Sequence, residues 1–227
     1  MSTDINPNLK VVVVDLDKTL VKGSLNLILA KSEARGMTAL KMIPKLVKLT
    51  VSAPGNPDLA GQMIDVGSGL FVGKREDEFL ARLEKTYRDI KPRLFAHMRK
   101  RIIDHKQAGA KIWLAGPAPQ QLVDIFAKDL GADRAFGVRM VKDSKGRLTE
   151  QVEEPLVYRE GKRDAVLAAL KDEGVDPKDV RFYSDSISDV PLLEAVGEPV
   201  CTNPSDELRA EAKKRGWPIE EYHETMG

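Results

Sequence analysis

Cysteine and histidine are scarce in this chain of 227 residues: one Cys, at position 201, and three His, at 97, 105 and 223, widely separated. No internal disulfide can form, and a zinc cage of thiolates and imidazoles is excluded. An excess of charge of one sign is missing too, since 36 Lys and Arg meet 35 Asp and Glu for a net charge of +1. The chain has no overall field to gather nucleic acid or an anionic membrane. Long apolar runs are absent: the stretch Val11 to Val14 is far short of the ~20 residues of a membrane span, and Met1 to Leu9 before it is polar. The expectation is a cytoplasmic protein without stable membrane anchoring. Internal repeats and low-complexity tracts are also lacking. What remains, 42% hydrophobic and 31% charged residues, is the composition of a globular chain, long enough for one large domain or two modest ones.

Short apolar runs alternate with helical patterns from residue 92 onward. Leu94, Met98 and Ile102 recur at helical spacing before Gly109, and Ile112 to Ala115 reads as a buried strand. Leu122, Ile125 and Phe126 mark the next helix, stopped by Gly131, and Ala135–Val141 with Leu148–Val152 flank Lys145-Gly146 as a hairpin. Val166, Ala169 and Leu170 mark a helix closed by Gly174; Val180–Tyr183 and Pro199–Thr202 are strands separated by a short helix around Leu192 and Leu193. With Val11–Val14 as the first strand, the rhythm predicts an α/β fold built on a doubly wound parallel sheet. Residues 23–91 break it, with helical patterns at about 24–35, 37–51 and 75–90, a loop at Pro54-Gly55-Asn56-Pro57 and no strand. The division expected is a core of 1–22 and 92–227 with a helical cap, 23–91, inserted after the first strand.

The chemistry gathers at strand ends. Val11–Val14 runs into Asp15-Leu16-Asp17-Lys18-Thr19, and alternation along an extended chain sends Asp15 and Asp17 the same way, at the edge where open α/β sheets place their sites. Alone, such a pair also suits a helix cap or a solvated turn. Val180–Tyr183 ends likewise in Ser184-Asp185-Ser186-Ile187-Ser188-Asp189, where Asp189 by itself also suits a helix start. Together the two strand ends gather carboxylates that repel unless a cation lies between them, and oxygen ligands without imidazole or thiolate specify magnesium. Gly161-Lys162, at the start of a helix, would be ordinary surface in isolation; beside such a site the lysine balances a phosphoryl group's charge.

The order of these motifs resembles the haloacid dehalogenase superfamily, in its phosphoserine-phosphatase-like branch with a helical cap. Asp15 to Thr19 matches the first motif, Lys162 the third, and Asp185 with Asp189 the fourth; the tail from Tyr183 through Asn203-Pro204 to Arg215-Gly216-Trp217-Pro218 looks similar to that branch as well. The resemblance covers about 9–22 and 92–218. It implies a phosphomonoesterase acting on a small phosphorylated metabolite or lipid phosphate, with Asp15 as nucleophile and Asp17 as general acid and base. It also implies a magnesium ion held by Asp15, the carbonyl of Asp17 and Asp185, with Asp189 in support or as a further ligand. Thr19, Gly116 and Lys162 fall at the phosphate-binding positions.

The second motif departs from the family. Its Ser or Thr falls on Gly116, which has no hydroxyl, and the next residue, Pro117, has no N–H to donate. Two phosphate donors are missing, each worth about 10²–10³ in rate. The alternative is therefore a weakened descendant that binds a phosphorylated ligand or a protein partner. A glutamate nine residues after the nucleophile, which phosphoserine phosphatases use to hold the substrate's ammonium, is replaced by Ser24, so phosphoserine is expected to be a poor substrate. Gly67 to Lys74 fits no phosphate-loop spacing, and the lysines Lys41, Lys45 and Lys48 read as the solvated face of a cap helix.

Overall fold

Four consecutive valines have no polar face to offer water, so they suit a strand covered on both sides. In the computed structural model, which describes residues 5–33 and 71–227, they form β1 (Val11–Val14), buried throughout. Val12 and Val14 face one apolar layer, Val11 and Val13 the other.

The strands that follow are β2 (Lys111–Pro119), β3 (Arg134–Val138), β4 (Met140–Lys142), β5 (Leu148–Val152), β6 (Val180–Ser184), β7 (Glu198–Thr202) and β8 (Ile219–Glu220). Six of them make a parallel sheet in the order β3-β2-β1-β6-β7-β8. The chain builds outward from β1 to β3, then crosses back to β6 on the other side of β1. That reversal opens a crevice at the carboxyl ends of β1 and β6.

The helices are α1 (Leu25–Glu33), α2 (Glu76–Ile90), α3 (Ala96–Gln107), α4 (Gln120–Leu130), α5 (Glu160–Asp172), α6 (Val190–Leu193) and α7 (Asp206–Arg215). Met98 and Ile102 of α3 and Leu122, Val123 and Phe126 of α4 cover one face of the sheet. Val166 and Leu170 of α5, Leu192 and Leu193 of α6 and Leu208 of α7 cover the other. The stripe Phe79, Leu83, Tyr87 and Ile90 gives α2 one apolar side, which joins the first layer: the Tyr87 ring meets Phe126 edge-on at 4.9 Å, and its hydroxyl donates to Asp129 at 2.9 Å. The chain crosses between these helices and the sheet twice, at adjacent points. Lys22 N donates to Arg93 O and Phe95 N to Leu20 O, both at 2.9 Å.

The helical patterns at 24–35 and 75–90 correspond to α1 and α2; the pattern at 37–51 and the loop at 54–57 lie outside the described residues. Two strand expectations need correction. The run Ala135–Val141 is not one arm of a hairpin: Arg134–Val138 pairs with β2 in the main sheet, and only Met140–Lys142 pairs antiparallel with β5. The open edge of β2 captures the first half of the run, which periodicity alone does not reveal. β2 also continues past Ala115 through two prolines, its pairing with β3 becoming irregular between Ala115 and Pro119. Among the described residues no helix is long and apolar enough to cross a membrane.

Under the sheet, His105 of α3 is fully buried, its Nε2 2.9 Å from the hydroxyl of Tyr183, which also accepts from Arg181 at 3.2 Å. Burial, with Arg181 and Arg101 nearby, pulls the imidazole down to about 4 from 6.5. The unfolded chain therefore takes a proton at His105 near pH 6.5 and the folded one does not until about pH 4. Stability is untouched by this group above that window and falls through it as pH drops, by about 3 kcal/mol in all. Urea unfolding at pH 7 and 4.5 should show the parent losing about 2–3 kcal/mol more than His105→Gln. Equal losses in the two proteins would remove His105 as the source.

Candidate active site

The carboxyl ends of β1 and β6 bring the two aspartate motifs together. Asp15 extends β1, its N–H donating to Tyr183 O at 3.0 Å, and is 3% exposed. Lys162, in the first turn of α5, is equally buried; its Nζ lies 2.8 Å from Asp15 Oδ1 and 2.8 Å from Asp189. Asp189 is held in turn by the Ser184 hydroxyl at 2.6 Å. The lysine reaches this depth because Gly161 precedes it: a Cβ there would stand 2.0 Å from Leu156 O, so only glycine lets the first turn of α5 dock so closely.

Burial pushes the Asp15 carboxyl up to about 7, with Lys162 opposing and Asp189 adding to the rise. Lys162 is held above its ordinary value by Asp15 and Asp189, which outweigh its own desolvation. Asp185, beyond the end of β6, lies well above the usual carboxylate range, because burial and then the charge of Asp15 disfavour ionisation. Its ion pair with Lys18 is loose, at 3.9 Å.

Asp17 has a different partner. Its Oδ1 accepts from Leu25 N, the first residue of α1, at 2.9 Å, and the Ser24 hydroxyl donates to it as well. The carboxylate thus ties the first strand to the first inserted helix by satisfying a free N–H of that helix. Burial nonetheless raises its pKa.

The second-motif position is as bare as the sequence implies. Gly116 is buried in β2, and an added Cβ would come within 3.0 Å of Leu16 Cγ and Cδ1. Pro117 offers only its carbonyl, which accepts from the Asn26 side chain of α1 at 3.1 Å. Thr19 is fully buried and its hydroxyl has no hydrogen-bond partner among the described residues. Its carbonyl accepts from the Tyr222 hydroxyl at 3.2 Å, so Thr19 serves the loop from beneath.

Among the described residues no three side chains of His, Cys, Asp or Glu form a metal-holding group. Magnesium does not need one. It is commonly held by one or two carboxylates, keeping waters and taking substrate oxygens for the rest. Asp15 and Asp185, two buried acids within each other's field, are donors of that kind. The residues fit the ion. Asp189, with both oxygens facing Lys162, is placed instead to hold the lysine.

Residues 12–194 match the family model of the haloacid dehalogenase-like hydrolases. The chain belongs to that family. A relative in Streptomyces azureus, described as an inhibition of morphological differentiation protein, is 31% identical over 214 residues, 92% of this chain and 77% of that one. A phosphoserine phosphatase of Mycobacterium tuberculosis is 30% identical over 92% of this chain and 69% of its own length. A crystal structure of a Bordetella pertussis protein of unknown function superposes with a TM-score of 0.80 at 28% identity, covering 93% of this chain and 97% of that one.

Of the positions that resemble haloacid dehalogenase motifs, the structure gathers Asp15, Lys162 and Asp189 in direct contact and sets Asp17 and Asp185 within their field. Sequence reasoning missed Asn26 and Tyr222. Asn26 carried a signal, a polar residue inside the apolar run Leu25 to Leu29; Tyr222, in a polar tail, carried none.

The close approach of Leu16 predicts a measurable penalty at Gly116. Gly116→Ala and Gly116→Ser are each expected to lose about 1–2 kcal/mol in urea unfolding, because the Cβ alone overfills the site. Either variant matching the parent would show that Leu16 yields freely.

Proposed function

We propose that this hydrolase is a magnesium-dependent phosphomonoesterase working through a phosphorylated Asp15. The observation that carries the reading is the buried Lys162 bridging Asp15 and Asp189, with Asp17 and Asp185 alongside. A buried lysine fixed on a carboxylate at a strand end supplies the positive charge that a transferring phosphoryl group needs.

In this scheme a carboxylate oxygen of Asp15 attacks phosphorus as the bond to the leaving oxygen breaks, and Asp17 gives that oxygen its proton. Asp17, now ionised, takes a proton from a water that attacks phosphorus in turn, releasing phosphate and restoring Asp15. Burial raises the pKa of Asp17, the direction that favours a proton donor, while the Leu25 N–H and the Ser24 hydroxyl oppose it. Asp15 and Asp185, with the carbonyl of Asp17, would hold magnesium, which lowers the nucleophile's pKa and draws charge from the phosphoryl oxygens. Lys162 neutralises those oxygens from the protein side, and Asp189 positions Lys162. The alternative of a binding-only descendant is not favoured, since the chain belongs to a hydrolase family with relatives named phosphatases, and Asp15, Asp17 and Lys162 act on one another's charge.

The residues from 23 to 91 act in this reading as the cap that selects the leaving group. A groove of about 690 Å³ between α1 and α2 is lined by Ser24, Lys31, Arg82, Lys85 and Arg93 among others, with Asp89 as the acid among the described lining residues. Beside Ser24 this lining disfavours an ammonium, so the leaving group is an alcohol without a required cation, such as a polyol, sugar or lipid phosphate. The substrate is a small phosphorylated molecule rather than a nucleic acid.

The test is turnover of a panel of phosphomonoesters, including an aryl phosphate, phosphoserine and uncharged-alcohol phosphates, with and without magnesium. The parent is expected to release phosphate only with magnesium, and Asp15→Asn to fall to background. Turnover by Asp15→Asn at the parent rate would remove the mechanism. Phosphoserine ranking first by about tenfold would leave the chemistry and overturn the specificity.

A further inference from the structure

The loop after Asp17 holds a lysine in a backbone conformation that suits glycine. Lys18 has φ +53°, and its carbonyl accepts from the side chain of Asn203, itself at φ +44°. Asn203 is fixed by Tyr222, whose N–H donates to its Oδ1 at 2.9 Å. A non-glycine residue persists there only when its surroundings over-determine it, and such strain collects at functional sites. The side chain, 62% exposed, brings Nζ to 3.9 Å from Asp185 Oδ2. Its charge also acts on Asp17.

The charges around it are unbalanced. Among the described residues, Asp15, Asp17, Asp185 and Asp189 meet one buried ammonium, Lys162. On the β2 side of β1, where two donors for a phosphoryl group are expected, Gly116 has no side chain and Pro117 no N–H. The β6 side carries Asp185, and Lys18 is the cation that reaches it.

We propose that Lys18 binds the substrate's phosphoryl group in place of those missing donors, moving from Asp185 onto a phosphoryl oxygen when substrate enters. The inference rests on the phosphatase reading above. An exposed lysine ordinarily needs no explanation; this one combines a strained backbone, held by Asn203 and Tyr222, with a loose pair to a carboxylate of the site. The flexible stem permits the movement, and the 3.9 Å separation means that no tight ion pair has to break.

The experiment compares the parent with Lys18→Gly, Lys18→Gln and Lys18→Arg, using inorganic phosphate as the probe at saturating magnesium. Phosphate affinity is read by calorimetry and as competitive inhibition of aryl-phosphate turnover. Lys18→Gly and Lys18→Gln should weaken phosphate about tenfold or more and raise KM in step, while Lys18→Arg stays within about threefold of the parent. Lys18→Gly should also melt no lower than the parent, since glycine relieves the left-handed backbone. Phosphate affinity within about twofold of the parent in Lys18→Gly and Lys18→Gln, with turnover intact, would overturn the proposal. So would tighter magnesium binding as the sole change, which would make Lys18 merely a counterion of Asp185. A parent without magnesium-dependent turnover would overturn the phosphatase reading, and this inference with it.

Discussion

A lysine sealed between two carboxylates holds the functional end of this molecule together. Lys162 is 2% exposed, and a buried ammonium is tolerated only with partners that repay its lost hydration. Asp15 and Asp189 are those partners, each 2.8 Å away. The contact joins three parts of the chain that lie far apart in sequence: the end of β1, the first turn of α5 and the turn after β6. Each has a local device that delivers its residue. The valine tetrad pins Asp15 at the sheet's edge, Gly161 lets α5 dock against Leu156 O, and Ser184 anchors Asp189. Moving any one of them leaves a buried charge without its partner, which is costlier than never having built the pair.

The same burial sets the chemistry. Acids removed from water resist ionisation, so Asp15, Asp17 and Asp185 are all raised, yet only one of them is satisfied by the lysine. Asp17 turns instead to the start of α1, which makes the proposed acid and base a structural tie to the first inserted helix. Asp185 is left with a distant ammonium, the situation that favours a divalent cation. In the proposed mechanism such a site would stabilise a transferring phosphoryl group mainly by charge, which would offset the hydroxyl missing at Gly116 and the N–H missing at Pro117.

Much of this was legible in the sequence because the signals are local. An apolar run followed by Asp-x-Asp, and another followed by Ser-Asp with a second Asp four residues on, mark strand ends whatever lies between them. The parallel sheet follows from the alternation of runs and helices. What was not legible depends on contacts across the chain. Arg134–Val138 joins β2 rather than Leu148–Val152 because of an edge that pattern alone does not locate. The two-residue β8 exists only because β7 offers it a partner. Asn203 and Tyr222, which brace the loop, and Asn26, which holds Pro117, acquire their roles from backbone carbonyls that no spacing rule brings near them.

The central claim is that phosphate passes through a covalent bond to Asp15. The most direct measurement is intact-mass and peptide analysis after rapid acid quench of Asp17→Asn mixed with an aryl phosphate and magnesium. Without its acid and base the enzyme should release the activated leaving group yet hydrolyse the intermediate slowly. The account predicts one phosphoryl group per chain, on the peptide containing Asp15 and absent when Asp15 is also replaced by Asn. A variant that releases the leaving group without ever carrying phosphate, or carries it on another residue, would contradict it.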